Sequence, residues 1–333
     1  YVVGKTTQTG ETSTAAISKF SSTGTLQWRR HVGASEGCRH SCVRVGADSS
    51  VYAAGENNRR AALTKYSSNG ALLWQKVLID SRYSSGTGCA VDQTGNVYLA
   101  GEHPLLTQTN IITVGFLAKY TQGGALLWQR AVHSMAGAKG VCVDSSGNAY
   151  ITGGTSSGVL TLLKYSPDGV LQWHRQVSSP TETLSGQHLG VDAADNIYAV
   201  GTAASGSIYR IVIVKYNQQG VIQWRRRYWV SSGTAPAGLS VSPSGEIYIL
   251  GYDSIGKTFI VKLAYDGVTQ WVREINETGV YASSISSSIH GNIAITGDNT
   301  RAASVIKLPG SGGLTGTYGT LTYSSTASLL TAL

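Results

Sequence analysis

One ten-residue pattern, Lys-Tyr-Ser-Ser-Asn-Gly-Ala-Leu-Leu-Trp at 65–74, recurs along the whole chain with unchanged internal spacing. Its lysine stands at Lys19, Lys65, Lys119, Lys164, Lys215, Lys262 and Lys307. A glycine follows each five residues later: Gly24, Gly70, Gly124, Gly169, Gly220, Gly267 and Gly312. Nine residues after the first six lysines comes a tryptophan: Trp28, Trp74, Trp128, Trp173, Trp224 and Trp271. Successive lysines are 46, 54, 45, 51, 47 and 45 residues apart. A constant unit of that length means one supersecondary motif copied and stacked, because a single copy cannot bury both of its faces. The array also overrides the two-domain expectation that 333 residues would otherwise raise.

Each copy holds four short strand-like runs, A to D, separated by turn signals; in the second they are 42–45, 51–55, 61–66 and 71–77. The B run recurs as Val97-Tyr-Leu-Ala-Gly, Ile197-Tyr-Ala-Val-Gly and Ile247-Tyr-Ile-Leu-Gly. The A–B turn reads Asp92-Gln-Thr-Gly-Asn or Asp144-Ser-Ser-Gly-Asn. Asp opens such turns by accepting bonds from its own downstream backbone, and Gly tolerates positive φ. The alternating acidic ligands of a calcium loop are missing, so these aspartates read as turn residues. Four-stranded units with a 45–54-residue period predict an all-β chain, a seven-bladed β-propeller of four-stranded antiparallel blades over residues 1–333. The recurrent tryptophans then read as packing residues between blades. The opening Tyr1-Val-Val-Gly matches the middle of a copy, so the chain reads as a piece of a longer polypeptide. At the other end Gly316 stands where the seventh tryptophan belongs. Residues 314–333 are expected to form a degenerate D strand and then an A strand, closing the ring against the first blade, or else to be a linker.

The formal charge of +8 raises the question of nucleic acid. Seven of the 26 basic residues are the repeat lysines, and six more lie two places after each tryptophan (Arg30, Lys76, Arg130, Arg175, Arg226, Arg273). Half of the positive charge is therefore dispersed one copy at a time, whereas phosphate binding needs it clustered. These residues read as charges that keep outer strands from pairing edge to edge. Neither specific nucleic-acid binding nor membrane insertion is expected, since no run approaches 18 apolar residues. Of the four cysteines, Cys89 and Cys142 read as small buried hydrophobes. Cys38, His40 and Cys42 share one segment but lack the spacing and fourth ligand of a structural zinc site, and either a Cys38–Cys42 bridge or free thiols fits them. No metal or cofactor is implied.

What varies from copy to copy is confined to two connections. C–D turns never change length, whereas the B glycine and the next lysine are 15, 10, 18, 11, 14, 11 and 10 residues apart, and D–A connections share no sequence. In an up-and-down blade B–C and D–A loops lie at the same end, so variation falls on one face. Loops that differ on a repeated scaffold are where specificity sits, or they are merely unconstrained. The longest are 5–14, 102–113, 177–188 and 228–237, which nominate Glu102 and His103 with the aromatics Tyr83, Trp229, Tyr252 and Tyr281.

The combined pattern Asp-x-x-Gly-Asn-x-Tyr-x-x-Gly, then Lys-Tyr-x-x-x-Gly-x-Leu-x-Trp, resembles the bacterial seven-bladed β-propeller repeat family over nearly the whole chain. That family implies the propeller fold and occurs in secreted, surface and phage-encoded proteins. The segment Lys307-Leu-Pro-Gly-Ser-Gly-Gly-Leu-Thr-Gly-Thr-Tyr-Gly-Thr-Leu-Thr-Tyr is similar to the end of propeller segments in large virion proteins of tailed bacteriophages. This resemblance implies a virion structural protein (tail fibre, spike or capsid decoration), with host attachment, receptor binding or other virion proteins as its partners. Localisation to the virion follows, with a secreted or bacterial cell-surface protein as the alternative.

The expectation is a non-enzymatic module presenting its variable face. Two alternatives remain open. A lectin would use Tyr252, Asp253, Asp298 and Asn299 to stack and hydrogen-bond a glycan, although its pockets would not repeat. An enzyme would need catalytic groups from scattered histidines, without a nucleophile elbow or a zinc-protease helix.

Overall fold

Alternating apolar residues bounded by glycine and Asx turns give strands throughout, and no helix occurs among the described residues of this computed structural model. Those residues are 1–6, 14–32, 38–78, 83–107, 110–229, 233–276, 280–288, 291–299, 302–309, 311, 316–318 and 321–325. The chain divides into two compact units, 1–157 with 161–176 and 158–160 with 177–333.

The first unit contains four antiparallel sheets in chain order. They are β1 (Val2–Thr6), β2 (Thr14–Phe20) and β3 (Leu26–Val32); β4 (Arg39–Val45), β5 (Val51–Asn57), β6 (Arg60–Tyr66) and β7 (Leu72–Val77); β8 (Ser85–Val91), β9 (Val97–Leu106), β10 (Ile111–Tyr120) and β11 (Leu126–Val132); and β12 (Ala138–Val143), β13 (Ala149–Gly154), β14 (Leu160–Tyr165) and β15 (Leu171–Val177). The second holds β16 (Thr183–Val191), β17 (Ile197–Ser205), β18 (Ile208–Tyr216) and β19 (Ile222–Tyr228); β20 (Ala235–Val241), β21 (Ile247–Tyr252), β22 (Thr258–Leu263) and β23 (Thr269–Asn276); and β24 (Val280–Ser287), β25 (Asn292–Asn299) and β26 (Ala302–Pro309). Each sheet is an up-and-down blade with its strands in sequence order, so the repeating unit is the four-stranded antiparallel blade of a seven-bladed β-propeller. B and C strands are buried on both faces; Val51 to Ala54 and Ile247 to Leu250 are wholly inaccessible. This explains why these runs are continuously apolar rather than alternating.

Every described A strand carries a bulge at one place, marked by register shifts at His40/Cys42, Gly86/Gly88, Ala138/Gly140, Gly186/His188, Pro236/Gly238 and Ala282/Ser284. A second bulge, just after the repeat lysine, recurs between C and D strands. It sets Lys65 directly opposite Trp74 and Lys119 opposite Trp128. The invariant nine-residue Lys-to-Trp spacing is therefore one cross-strand pair plus one bulged residue.

The tail departs from expectation. Its two described strands, β27 (Gly316–Tyr318) and β28 (Leu321–Ser325), do not complete the first and last blades, which have three strands each among the described residues. Instead β28 pairs with β23, Ile275 opposite Tyr323, and extends the sixth sheet to six strands. A D strand is an open edge, and its unpaired N–H and C=O groups template any extended segment within reach. The tail lacks the tryptophan that anchors other D strands, because Gly316 occupies that place. Residues 326–333 lie outside the described residues.

Candidate functional site

The two ends of the blades are built differently, and the difference begins with the repeat residues. At the end formed by A–B and C–D turns, Tyr of B, Lys of C and Trp of D stand side by side across three strands. Tyr98 is opposite Lys119, which is opposite Trp128. The Lys119 ammonium lies 5.0 Å from the Tyr98 ring centre, and the same pairing recurs from Tyr52–Lys65 to Tyr248–Lys262. The ammonium and the indole N–H of one blade then donate to a single carbonyl in the C–D turn of the next. Lys119 Nζ and Trp128 Nε1 reach Pro167 O at 3.0 and 2.8 Å. Lys65 and Trp74 reach Gln122 O at 3.2 and 3.1 Å, and in the second unit Lys215 and Trp224 reach Tyr265 O at 3.0 and 3.3 Å. The repeat glycine is required by this contact. Gly169 has φ +77°, and a Cβ there would lie 2.7 Å from the Trp128 ring.

These contacts correct the reading of the basic residues as guards of open edges. Lys65, Lys119 and Lys215 are buried on C strands. Arg30, Arg130, Arg175, Arg226 and Arg273 fold back over their own tryptophans at 5.2–5.6 Å. A–B turn aspartates complete the arrangement. Asp92 Oδ1 accepts from the N–H of Thr94 and Asn96 at 3.0 and 2.8 Å while Oδ2 lies 3.7 Å from Lys119. Burial opposes its ionisation, but the bonds from Thr94 and Asn96 outweigh that and hold its pKa below the usual value.

B–C and D–A connections meet at the opposite end. Arg59, in the B–C turn of the second blade, lies over the ring of Tyr83 in the following D–A connection at 5.7 Å. Glu102 forms an ion pair with Lys139 at the start of β12. Several expected loops here are strands. Residues 102–113 form a hairpin rather than a loop, because β9 and β10 pair out to Leu106–Ile111. Its tip leaves Leu106 and Ile111 79% and 70% exposed, with Ile112 also in solvent. In the second unit β17 and β18 pair out to Ser205–Ile208, exposing Ile208 and Tyr209, and Ile255 between β21 and β22 is 75% exposed. Exposed leucines also precede the tryptophans, such as Leu72 and Leu126. Those recur at one register on successive outer strands, whereas the apolar residues of the hairpin end differ from blade to blade.

The nominated residues lie in different surroundings. Tyr83 is 66% exposed, and Tyr252 is exposed at the end of β21. Trp229 is half-buried beneath the Arg210 guanidinium, 5.5 Å from its ring. The His103 ring packs on Phe116 at 6.3 Å, with Nδ1 3.1 Å from Pro104 O. Asp253 is corrected outright: it is buried, and its Oδ1 accepts from Ile255 and Lys257 N–H at 3.0 and 2.9 Å. It repeats at this end the turn that Asp92 makes at the other, and Asp253-Ser-Ile-Gly carries the Asp-x-x-Gly signal that would have shown it. Tyr281 and Asp298 face each other in the β24–β25 register and Asn299 follows, but their side chains lie outside the described residues, as does loop 7–13. No described contact gathers the nominated residues into one site.

Two constellations escaped the sequence reading. Glu182, buried, receives Arg210 at 2.8 Å and Arg227 at 3.0 Å. Beside it, Val177, Leu184, Val212 and Arg225 to Arg227 line a cavity of about 220 Å³. That is smaller than the ~300 Å³ where small-molecule sites begin, and suits one side chain or a small anion. The run Arg225-Arg-Arg was its only signal. The second is a thiol pair. None of the four cysteines is in a disulfide: Cys38 Sγ contacts Asn57 Oδ1 at 3.4 Å, while Cys42 Sγ lies 3.5 Å from Cys89 Sγ on the next blade. His40 instead packs its buried ring against Tyr66.

No protein-family profile and no curated protein sequence matches the chain. Solved structures do resemble it. A Lactobacillus plantarum protein is 14% identical, covering 97% of this chain and 98% of its own, with a TM-score of 0.55. A protein of unknown function from Bacteroides caccae is 13% identical over 85% of this chain and 97% of its own, with a TM-score of 0.54. PorZ, a bacterial surface component of the type-IX secretion system of Porphyromonas gingivalis, is 12% identical over 81% of this chain but 40% of its own, with a TM-score of 0.54. At such identity the likeness establishes the fold alone: the chain is a β-propeller.

Proposed function

We propose that this chain is a non-catalytic interaction module of a virion structural protein, docking another virion protein or a host-surface receptor through its hairpin end. The observation that carries the reading is the β9–β10 hairpin. Ten-residue strands hold Leu106, Ile111 and Ile112 out in water on a paired stem. Exposed apolar side chains grouped on a rigid support mark a surface that another protein covers. The repeat aspartate and lysine are held in structural contacts, Asp92 in its turn and Lys119 on the Pro167 carbonyl, which supports the non-catalytic reading. The virion assignment is supported by the resemblance of the segment 307–323 to the ends of phage propeller segments.

The test has two arms. Mass spectrometry of purified particles from the source phage should find this polypeptide, and its absence would sink the virion assignment. Replacing 102–113 with the short 154–158 connection should leave folding intact and remove binding to host cells or to the neighbouring virion protein. Exchanging turn 67–70 for another polar turn should leave binding unchanged. Loss with the turn exchange and none with the hairpin exchange would place the interface at the wrong end.

A further inference from the structure

Two thiols from adjacent blades meet between the inner strands of the first unit. Cys42 stands on β4 just after the bulge, and Cys89 on β8, with their sulfurs 3.5 Å apart. The Cys89 N–H also points at Cys42 Sγ, at 3.4 Å. Arg44 lies two residues beyond Cys42, on the same side of the strand. The two sulfurs differ in access: Cys42 is half-buried, and Cys89 is fully enclosed. Donors and a cation around one partly accessible sulfur favour its thiolate, the nucleophilic form.

We propose that Cys42 and Cys89 form an oxidation-responsive pair, with Cys42 as the sulfur that meets a hydroperoxide and Cys89 as the resolving thiol. The Cys42 thiolate attacks one oxygen of hydrogen peroxide. An S–O bond forms, the O–O bond breaks, and the departing hydroxide takes up a proton as water, leaving a sulfenic acid. The Cys89 thiol then attacks that sulfur. The S–S bond forms, the S–O bond breaks, and the hydroxyl leaves with the Cys89 proton as a second water. Two thiols and one peroxide become one disulfide and two waters. The bond from Cys89 to Cys42 and the Arg44 charge bring the Cys42 pKa down to about 6, while burial pushes the Cys142 thiol well up. Cys142 and the buried Cys38 therefore serve as internal controls. The product would tie the second blade to the third covalently and constrain the unfolded chain across the 42–89 segment.

The full chain, treated with a few equivalents of hydrogen peroxide and alkylated under denaturing conditions, should lose two free thiols and yield one Cys42–Cys89 linked peptide. Its Tm should rise by about 5 °C, and a reductant should reverse the rise. Cys89→Ser should stop at a Cys42 sulfenic acid captured by dimedone, and Cys142→Ser should behave as the parent. The proposal is overturned if all four thiols survive peroxide in the folded chain, if Cys38 or Cys142 reacts first, or if Cys42→Ser still loses two thiols. The parent's peptide map decides the matter even if a variant fails to fold.

Discussion

The turn end and the hairpin end of these blades use the same residue types for opposite purposes. Lys119 is buried among Tyr98, Asp92 and the Pro167 carbonyl, whereas Lys257 is half exposed and 4.0 Å from Glu274. Gly169 is held against Trp128, whereas Gly206 has nothing within 4 Å of its missing side chain. Asp92 and Asp253 make the same turn, and Asp92 in addition lies 3.7 Å from the Lys119 ammonium of its own blade. One end therefore carries the contacts that repeat from blade to blade, and at the other each contact, such as Glu102 with Lys139, is particular to its own blades. A repeat can diversify its loops without losing its fold only if its packing contacts sit elsewhere.

The sharpest way to break this comparison is at the lysines. Lys119→Met should destabilise the chain by about 3–5 kcal/mol, because it strips a buried ion pair of one partner. Lys257→Ala should change stability by less than about 0.5 kcal/mol, as exposed pairs do. Urea unfolding of both variants measures the contrast, and equal losses would erase it.

The next test is pH. His40, buried at the hairpin end of β4, has its pKa pushed down to about 4, chiefly by burial. An unfolded histidine titrates near 6.5, so between these values the unfolded chain binds the extra proton and stability falls as the solution is acidified. The loss should approach about 3 kcal/mol from pH 6.5 to 4, then level off. Subtracting the profile of His40→Asn from that of the parent isolates this contribution from those of the carboxylates. A difference that is flat over the window would show that His40 charges in place.

The glycines provide a smaller contrast. Gly169→Ala should cost about 2–3 kcal/mol, combining the strain of positive φ with a clash against Trp128. Gly206→Ala carries the strain alone, about 1 kcal/mol. Smallest of all, the double change Leu106→Ser with Ile111→Ser should leave Tm within about 2 °C of the parent. A larger fall would mean that the hairpin tip packs on the body of the chain.

Legibility followed period. Strand order, the turns and the Lys–Gly–Trp unit were all readable, because each is a local pattern repeated often enough to separate rule from accident. Asp253 carries the Asp-x-x-Gly signal of a turn residue, and its place at the variable end hides that role in the sequence. The hairpin over 102–113 reads as a loop in the sequence because Pro104 and the polar residues near its tip mask the pairing of Leu105 with Ile112. A count of missing strands points the tail to the first and last blades, whereas β28 pairs with the open edge of β23, a choice that tertiary contacts make.

The sequence by itself determined the blade: its length, its four strands, the turn at each A–B and C–D connection, and the spacing that sets lysine opposite tryptophan. These are fixed within about fifty residues by pleat, bulge and turn geometry. Only the tertiary structure decided what the repeat residues touch. Lysine and tryptophan of one blade share a carbonyl of the next, about fifty residues away, and Cys42 finds Cys89 rather than its neighbour Cys38. Stacking brings equivalent positions of successive blades together, and sequence distance along one blade says nothing about that encounter.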